Sequence, residues 1–287
     1  MTYFDAHTHI FAESQRLRRD MIAAADPTFA AMYRDPAARI ATADDLVDTI
    51  DRAGFAGAVA AGFAFSHQLE IDAQNEALLA AARDRPGKIV PLAAINLELP
   101  GWRADGERLL AAGSRGFGEL RPGNQGWDPL GSAAHELCEL AAARGAILLW
   151  HCSEPVGHSY PGKEGGIAPA ALIQLALEHP STTMIAAHAG AGASFYLQMP
   201  EVAAAIEALY WDTAAVSLLY DEGTVSRLVD LAGPKRVLFG SDYPLLSPRH
   251  NVQRVARGLS DEAVREAVCG GNAVSLFLQN IPPHRSA

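Results

Sequence analysis

Two histidines one residue apart lie in the apolar stretch "YFDAHTHIF" at residues 3–11. Side chains alternate between the two faces of a β-strand, so His7 and His9 are expected on one face if this stretch is a strand. Two imidazoles that converge in this way can bind a metal ion. An isolated His-x-His pair is more often two hydrogen-bonded polar residues near a strand end, so the pair alone does not establish a metal site.

Glu119, His151, His188 and Asp242 offer ligand atoms of the same kinds further along the chain. Imidazole and carboxylate ligands without thiolate suit zinc, manganese, iron or nickel at a hydrolytic centre. The cysteines are widely separated and form no Cys-x-x-Cys pair, so neither a thiolate zinc site nor a disulfide framework is indicated. Whether these imidazoles and carboxylates meet depends on the fold that carries them.

Eight short aliphatic or β-branched segments recur along the chain, and helical stretches follow them. The predicted strands cover residues 2–10, 57–64, 88–96, 115–122, 146–152, 182–190, 208–216 and 236–244. Strands that are buried on both faces read as continuous apolar runs, so this alternation predicts an α/β protein with a (β/α)8 TIM barrel, formed by one domain of residues 1–287. A doubly wound open sheet is the alternative, but no Gly-x-Gly-x-x-Gly follows the first predicted strand.

The six candidate ligands fall at the carboxyl ends of the predicted strands. In a barrel these ends share one rim, which is where barrel enzymes build their active sites. Two connections after strands are longer than packing requires, at residues 11–41 after the first strand and 153–167 after the fifth. Both are expected on the same rim, as walls or lids of the active site. The Pro- and Gly-rich composition of the second connection is also typical of a surface loop with no role in the site.

The composition, 49% hydrophobic and 20% charged, is that of an ordinary globular protein. A formal net charge of −10 and the lack of a basic run disfavour nucleic acid as a partner. No apolar run is long enough to span a membrane, and the first residues do not resemble a secretion signal. We therefore expect a cytoplasmic protein that acts on a small molecule, without a nucleic-acid or membrane partner, and leave assembly into a homo-oligomer open.

Several motifs, in order along the chain, resemble those of the amidohydrolase superfamily, in the amidohydrolase-2 group of metal-dependent barrel hydrolases and decarboxylases. They are "DAHTHI", "WHCSEP", "AAHAGAG", "FGSDYP" and "GGNAVSLF", and together they span nearly the whole sequence. The resemblance implies a barrel in which His7, His9, His151 and Asp242 surround a metal ion. It also implies that His188 either binds a second ion or acts as an acid/base beside the substrate.

Glu119 lies at a position where members of this family differ, since many carry a carboxylated lysine there and others a glutamate. It is predicted either to bridge two metal ions or to pair only with Arg121, two residues along on the same strand face. Arg121 in turn either binds a substrate carboxylate or forms this ion pair alone. His158, in the connection after the fifth strand, is a candidate substrate contact or a solvated loop residue. The remaining histidines are interpreted as structural: His67, His135, His179, His250 and His284.

These residues predict a metal-dependent hydrolase that cleaves an amide, ester or lactone bond of a small molecule. A divalent ion lowers the pKa of its bound water from ~15.7 toward ~7. Asp242 would take the proton from that water and pass it to the leaving group, and His188 would stabilise the oxyanion if one ion is bound. We expect one or two ions, zinc first, with manganese, iron or nickel as alternatives.

The main alternative is a lyase, a non-oxidative metal-dependent decarboxylase of an aromatic or unsaturated carboxylic acid, because Arg121 would suit a carboxylate substrate. A phosphodiesterase is disfavoured by the acidic charge. A binding protein that kept the fold and lost the chemistry is disfavoured because all six ligand types are present.

Overall fold

The computed structural model describes residues 1–279. Eight parallel strands occur in the predicted order, each in the region that its apolar run predicts. They are β1 Tyr3–His9, β2 Phe55–Ala61, β3 Ile89–Leu92, β4 Gly116–Leu120, β5 Ile147–Trp150, β6 Thr183–Ala186, β7 Leu209–Asp212 and β8 Val237–Leu238.

Regular pairing forms two sheets, β1-β2-β3 and β4-β5-β6-β7-β8, and hydrogen bonds join them at both edges. At one edge Ala93 forms a parallel bridge with Phe117, and its N–H donates to the Gly116 carbonyl at 2.9 Å. At the other edge the His9 N–H donates to the Tyr243 carbonyl at 2.7 Å. The strands therefore close into the predicted (β/α)8 barrel, which confirms the fold class.

Helices follow the strands and cover the outside of the barrel. The α-helices are Glu13–Leu17, Arg19–Ala25, Pro27–Tyr33, Ala43–Arg52, Gln68–Asp84, Trp102–Ala111, Pro122–Gln125, Ser132–Arg144, Pro169–Glu178, Pro200–Ala205, Val216–Leu219, Thr224–Ala232, Pro248–Arg257, Glu262–Glu266 and Asn272–Val274. Segments of 3-10 helix cover His188–Gln198 and Pro234–Arg236, and π-helical segments cover Ala267–Gly271 and Ser275–Gln279. The fourth α-helix begins with a capping box, in which Thr42 and Asp45 are hydrogen-bonded to each other's backbone.

Two apolar layers hold the barrel together. Alternate strand residues, such as Val59, Val90, Leu149 and Ile185, pack together although their strands are not all neighbours, so they fill the barrel interior. The other strand residues pack against the helices in a larger outer layer. Parallel strands buried on both faces have no solvent-facing side, which explains why they read as unbroken apolar runs.

The strands end earlier than the sequence predicts. The sixth was expected to reach residue 190, but β6 ends at Ala186. His188 and Ala189 have φ angles of 57° and 56°, in the left-handed region that no strand residue adopts. Asp242, expected inside the eighth strand, also has a positive φ of 62° and lies four residues beyond the end of β8. Both candidate ligands are thus carried by irregular backbone at the rim.

The two long connections differ in structure. The segment 11–41 contains three short α-helices, whereas 153–167 has neither helix nor strand and is attached to the barrel by a bridge between Cys152 and Ile167. The cysteines Cys138, Cys152 and Cys269 are buried free thiols. Within residues 1–279, none of the helices combines the length and the apolar character that crossing a membrane requires.

Candidate metal centre

The two histidines of β1 converge as the strand alternation predicts. Their Nε2 atoms lie 3.1 Å apart, and Asp242 approaches both of them. Its Oδ1 atom is 3.5 Å from His9 Nε2 and 3.9 Å from His7 Nε2. The three ligand atoms therefore lie close enough together to surround one cation.

Hydrogen bonds on the outer side of each imidazole leave the inner nitrogen for a ligand. His7 Nδ1 lies 2.7 Å from an oxygen of Asp212, and His9 Nδ1 lies 3.2 Å from the Ala61 carbonyl. Carbonyl and carboxylate oxygens only accept, so both Nδ1 atoms carry the proton. The two Nε2 atoms face each other at 3.1 Å and need a positive charge between them. A hydrogen bond from the other ring nitrogen, as both histidines have here, is how proteins usually orient a metal-binding histidine.

A second group of ligand types lies beside the first. Glu119 Oε1 is 2.7 Å from His151 Nδ1 and 3.1 Å from His188 Nε2, and these two ring nitrogens are 3.0 Å apart. All three side chains are almost fully buried. They form a compact set of one carboxylate and two imidazoles that could hold a cation.

The imidazoles of this second group are oriented in the same way. His188 Nδ1 lies 2.9 Å from the Ala214 carbonyl, and His151 Nε2 lies 3.0 Å from the Gly162 carbonyl. His188 Nδ1 must donate, because a carbonyl only accepts, and His188 Nε2 is left facing the cluster. His151 has an acceptor at each ring nitrogen, the Gly162 carbonyl at Nε2 and the Glu119 carboxylate at Nδ1. Its Nδ1 atom faces the cluster and would be the ligand once a cation replaces the proton between it and Glu119.

Glu119 lies between the two groups. Its Oε1 atom is 3.8 Å from His7 Nε2, and its Oε2 atom is 3.8 Å from His9 Nε2. The six sequence-predicted ligands are thus brought together at one rim, in two sets that share this carboxylate. The resemblance implied His151 around one ion with His7, His9 and Asp242, and the two-ion alternative placed it with Glu119 and His188, which are the residues whose ligand atoms lie nearest to it in the structure.

The buried charges shift the pKa values of these groups. Burial would lower the pKa of His7, but the charge and hydrogen bond of Asp212, with the charges of Glu119 and Asp242, together outweigh burial and raise the pKa to about 10. Burial is likewise overcome at His188, where the hydrogen bond and charge of Glu119 raise the pKa to about 9. Burial and the nearby positive charge of Arg121 lower the pKa of His151 to about 4.

The pKa of Glu119 is shifted downward, opposite to the pKa values of His7 and His188. Burial would raise its pKa, but the charges and hydrogen bonds of the histidines hold that pKa well below its usual range. The cluster therefore needs positive charge, which protons on His7 and His188 supply in the absence of a metal ion. Four oriented imidazoles and two carboxylates fit a divalent cation, which would replace those protons.

Arg121 is buried beside this cluster, but it does not form a close ion pair with Glu119. Its Nη1 atom is 3.9 Å from Glu119 Oε2. Its Nε atom donates to Asn124 at 2.9 Å, and its Nη2 atom donates to the carbonyls of Gly162 and Glu164. These bonds fix the guanidinium against the connection 153–167, and Nη1 is the nitrogen that no hydrogen bond to an oxygen occupies among the described residues.

A cavity of about 540 Å³ opens above the metal-ligand groups. His9, Glu119, His151, His188 and Asp242 line its floor, and Arg121 lines it beside them. The walls are largely apolar, and they include Met32, Tyr33, Phe63, Leu218, Leu219, Pro244 and Leu245. This arrangement gives one end of a small molecule polar contacts and the rest of it an apolar surface.

Both long connections contribute to the cavity wall, as predicted. Met32 and Tyr33 come from the segment 11–41, and His158 and Tyr160 from the segment 153–167. His158 is exposed at the rim, where its ring lies 5.5 Å from that of Tyr160.

A carboxylate fastens the second connection to the rim. Glu154 accepts hydrogen bonds from the hydroxyls of Tyr160, at 2.9 Å, and Tyr220, which follows β7. These bonds hold the segment 153–167 against the neighbouring part of the cavity wall.

The histidines interpreted as structural do not line this cavity within the described part of the chain. His135 and His179 form a separate pair with ring nitrogens 2.7 Å apart, and His67 and His250 lie in other peripheral segments. His284 lies outside the described residues.

Sequence reasoning missed Asp212, the last residue of β7 and fully buried. Its carboxylate contacts the imidazole of His7 and the backbone N–H of His188. The predicted strand 208–216 put Asp212 in mid-strand, and only the structure ends β7 at this residue, so the strand-end criterion that singled out the other candidate ligands did not include it.

Comparison with solved structures supports the fold. 5-Carboxyvanillate decarboxylase from Sphingomonas paucimobilis superposes with a TM-score of 0.75 at 15% identity, covering 96% of this chain and 98% of that one. Dihydroxybenzoic acid decarboxylase from Polaromonas sp. JS666, with bound manganese and 2-nitroresorcinol, gives 0.69 at 14% identity, covering 100% and 99%. An amidohydrolase from Burkholderia multivorans with bound HEPES gives 0.65 at 15% identity, covering 96% and 99%.

Sequence comparisons give the family. A search of curated protein sequences finds no match. The amidohydrolase family profile matches residues 4–278, which is nearly the whole chain and includes all six candidate ligand residues. The chain therefore belongs to the amidohydrolase family.

Proposed function

We propose that this protein is a metal-dependent, non-oxidative decarboxylase of a small aromatic or unsaturated carboxylic acid. The observation that carries the proposal is the position of Arg121. Arg121 lines the cavity between its polar floor and its largely apolar walls, with Nη1 3.9 Å from Glu119 Oε2 and 3.8 Å from the Met32 sulfur. A guanidinium recognises carboxylates well, and the apolar walls suit a flat hydrocarbon body.

The similar solved structures support this choice. Two of the proteins compared above are decarboxylases of aromatic acids, and one of them carries manganese. Hydrolysis, which the sequence put first, receives less support from these comparisons than its alternative. We accordingly propose a divalent ion for the centre and place manganese, an alternative to zinc in the sequence analysis, beside zinc as the first metal to test, ahead of iron and nickel.

The proposed roles of the residues follow from their positions. His7, His9 and Asp242 would hold a cation, and Glu119, His151 and His188 would either hold a second one or stand beside the substrate. A divalent ion bound there would stabilise the negative charge that develops on the substrate as carbon dioxide leaves. Arg121 would orient the acid toward the cavity floor.

The reaction breaks the bond between the carboxylate carbon and the body of the substrate. Carbon dioxide leaves, the electron pair stays on the remaining carbon, and that carbon takes up one proton. We assign Asp242 to carry this proton, because its carboxylate lines the cavity beside the ligand cluster, and solvent restores the proton after each turnover. His188 is the second acid/base within the same floor.

Hydrolysis remains a second candidate because of one observation. Glu119 lies between two sets of ligand types, as a bridge between two ions would, and two-ion centres activate water in many hydrolases.

The test is a paired screen with metal-restored protein. One arm measures carbon dioxide released from hydroxylated benzoic acids and unsaturated acids, and the other measures acid released from lactones, esters and amides. We expect activity in the first arm that disappears after chelation and returns with a divalent ion. Turnover confined to the second arm would replace the proposal with hydrolysis.

A further inference from the structure

The buried carboxylate of Asp212 touches both metal-ligand groups without facing the cavity. One oxygen lies 2.7 Å from His7 Nδ1. The other oxygen accepts the backbone N–H groups of His188, at 2.9 Å, and Ala214, at 3.0 Å. Both oxygens are therefore used, and the side chain has no exposed surface.

The first contact fixes which nitrogen of His7 can bind a cation. A carboxylate oxygen cannot donate, so His7 must present Nδ1–H to Asp212, and Nε2 is left facing His9 and Asp242. In the other tautomer Nε2 would carry the proton and could not be a ligand. The His7 imidazole thus depends on Asp212 for its competence as a ligand.

The second contact acts on His188 through the backbone. His188 is in the left-handed region, with a φ of 57°. This conformation costs a non-glycine residue free energy, so it persists only where surrounding contacts offset that cost. Asp212 binds the His188 N–H directly. It also binds the N–H of Ala214, whose carbonyl accepts from His188 Nδ1 at 2.9 Å.

We propose that Asp212 is a positioning residue that orients the metal-binding nitrogens of both groups, His7 Nε2 directly and His188 Nε2 through the Ala214 backbone. Since its two oxygens act separately, the two effects can be separated by substitution. The inference rests on the metal centre and not on which reaction the centre catalyses.

The Asp212→Asn substitution separates the effect on His7 from the effect on His188. The amide oxygen can keep the two backbone N–H groups, while the amide NH2 replaces the oxygen that faces His7 Nδ1. An NH2 group donates, so it favours the His7 tautomer that has a proton on Nε2. Asp212→Ala removes both effects.

The matched control is Asp5→Asn. Asp5 is an equally buried carboxyl group on β1, and its Oδ1 accepts the backbone N–H groups of His7, at 3.2 Å, and Ser241, at 2.9 Å. The substitution changes the same chemical group at the same burial. It leaves the oxygen that faces His7 Nδ1 in place.

The measurement is zinc affinity by competition with a chromophoric chelator, with zinc alone as the probe. Loss of this kind of supporting contact weakens metal binding about 10–100-fold, which is the decrease we expect for Asp212→Asn, and a larger one for Asp212→Ala. Asp5→Asn should keep the wild-type affinity. Equal affinities for Asp212→Asn and the wild type, or equal losses in Asp212→Asn and Asp5→Asn, would overturn the inference.

A spectroscopic measurement on the unmodified protein serves if the variants do not fold. 15N NMR of the zinc-loaded protein should show a protonated Nδ1 and a zinc-bound Nε2 for His7. The reverse assignment would overturn the role of Asp212 while leaving the metal centre intact. A wild-type protein that binds no zinc or other divalent ion would overturn both the centre and this inference.

Discussion

Replacing Glu119 by glutamine distinguishes a one-ion from a two-ion centre. The substitution keeps the shape of the side chain and removes its charge. Glu119 is the one carboxylate of its ligand group, so the variant leaves that group with the neutral imidazoles of His151 and His188. The first group retains His7, His9 and the carboxylate of Asp242.

The size of the expected loss of metal affinity follows from how far the fraction of occupied sites must fall. At a free ion concentration of 100 times Kd, a site becomes mostly empty only if its affinity falls about 10³-fold, which is about 4 kcal/mol. Loss of the only carboxylate, with no other anion taking its place, is a change of that order for a dication held by two imidazoles. We therefore expect metal content to fall from about two ions to about one per chain, as for loss of a shared ligand in a two-ion centre.

The assay is metal content per chain by mass spectrometry after equilibration at a fixed free ion concentration. Glu70→Gln is the control, because Glu70 is also a buried carboxylate but pairs with Arg18, at 2.8 Å, outside the cavity. It should keep the wild-type metal content. One ion in both the wild type and Glu119→Gln would refute the bridge and leave a one-ion centre with His188 as acid/base.

Three further changes have defined outcomes. The His7→Ala/His9→Ala double variant should lose its metal and keep its fold, and unchanged metal content would contradict the metal centre. Asp242→Asn should retain much of its metal and lose on the order of 10²-fold or more in rate, whereas a near-normal rate would indicate that His188 carries the proton instead. In the metal-free protein, burial would lower the pKa of His188, but Glu119 raises it from 6.5 to about 9. Protonated His188 therefore stabilises the fold fully below pH 6.5, and this contribution is lost as the pH rises toward 9. The midpoint temperature of thermal unfolding should fall over this pH interval. A midpoint that rises over the same interval would contradict the charge pairing of His188 with Glu119.

The barrel could be predicted from the sequence because its strands are buried on both faces. Runs such as Ile147–Trp150 have no polar face, and eight of them with helices between leave few folds to consider. The strand ends could not be predicted in the same way. His188 and Asp242 continue apolar runs, but they take left-handed backbone conformations that depend on hydrogen bonds to distant residues, to Asp212 and to the His7 carbonyl respectively.

The site could be predicted as a set of residue types at one rim, but not as a set of contacts. Position at a strand end brought Glu119 and the histidines into one group. The separation of His151 from His7 and the orienting role of Asp212 depend on which ring nitrogen faces which oxygen. Those contacts join residues up to 205 positions apart, and no local pattern encodes them.

The central claim is decarboxylation at a metal centre, and isotope incorporation tests it most directly. The metal-restored protein is supplied with its best substrate from the screen in D2(18)O, and the product is examined by mass spectrometry. Decarboxylation predicts a product that has lost carbon dioxide, carries one deuterium at the carbon that held the carboxylate, and contains no 18O. Products that together retain every carbon atom of the substrate, with 18O in the acid that is released, would show that the protein is a hydrolase and contradict decarboxylation.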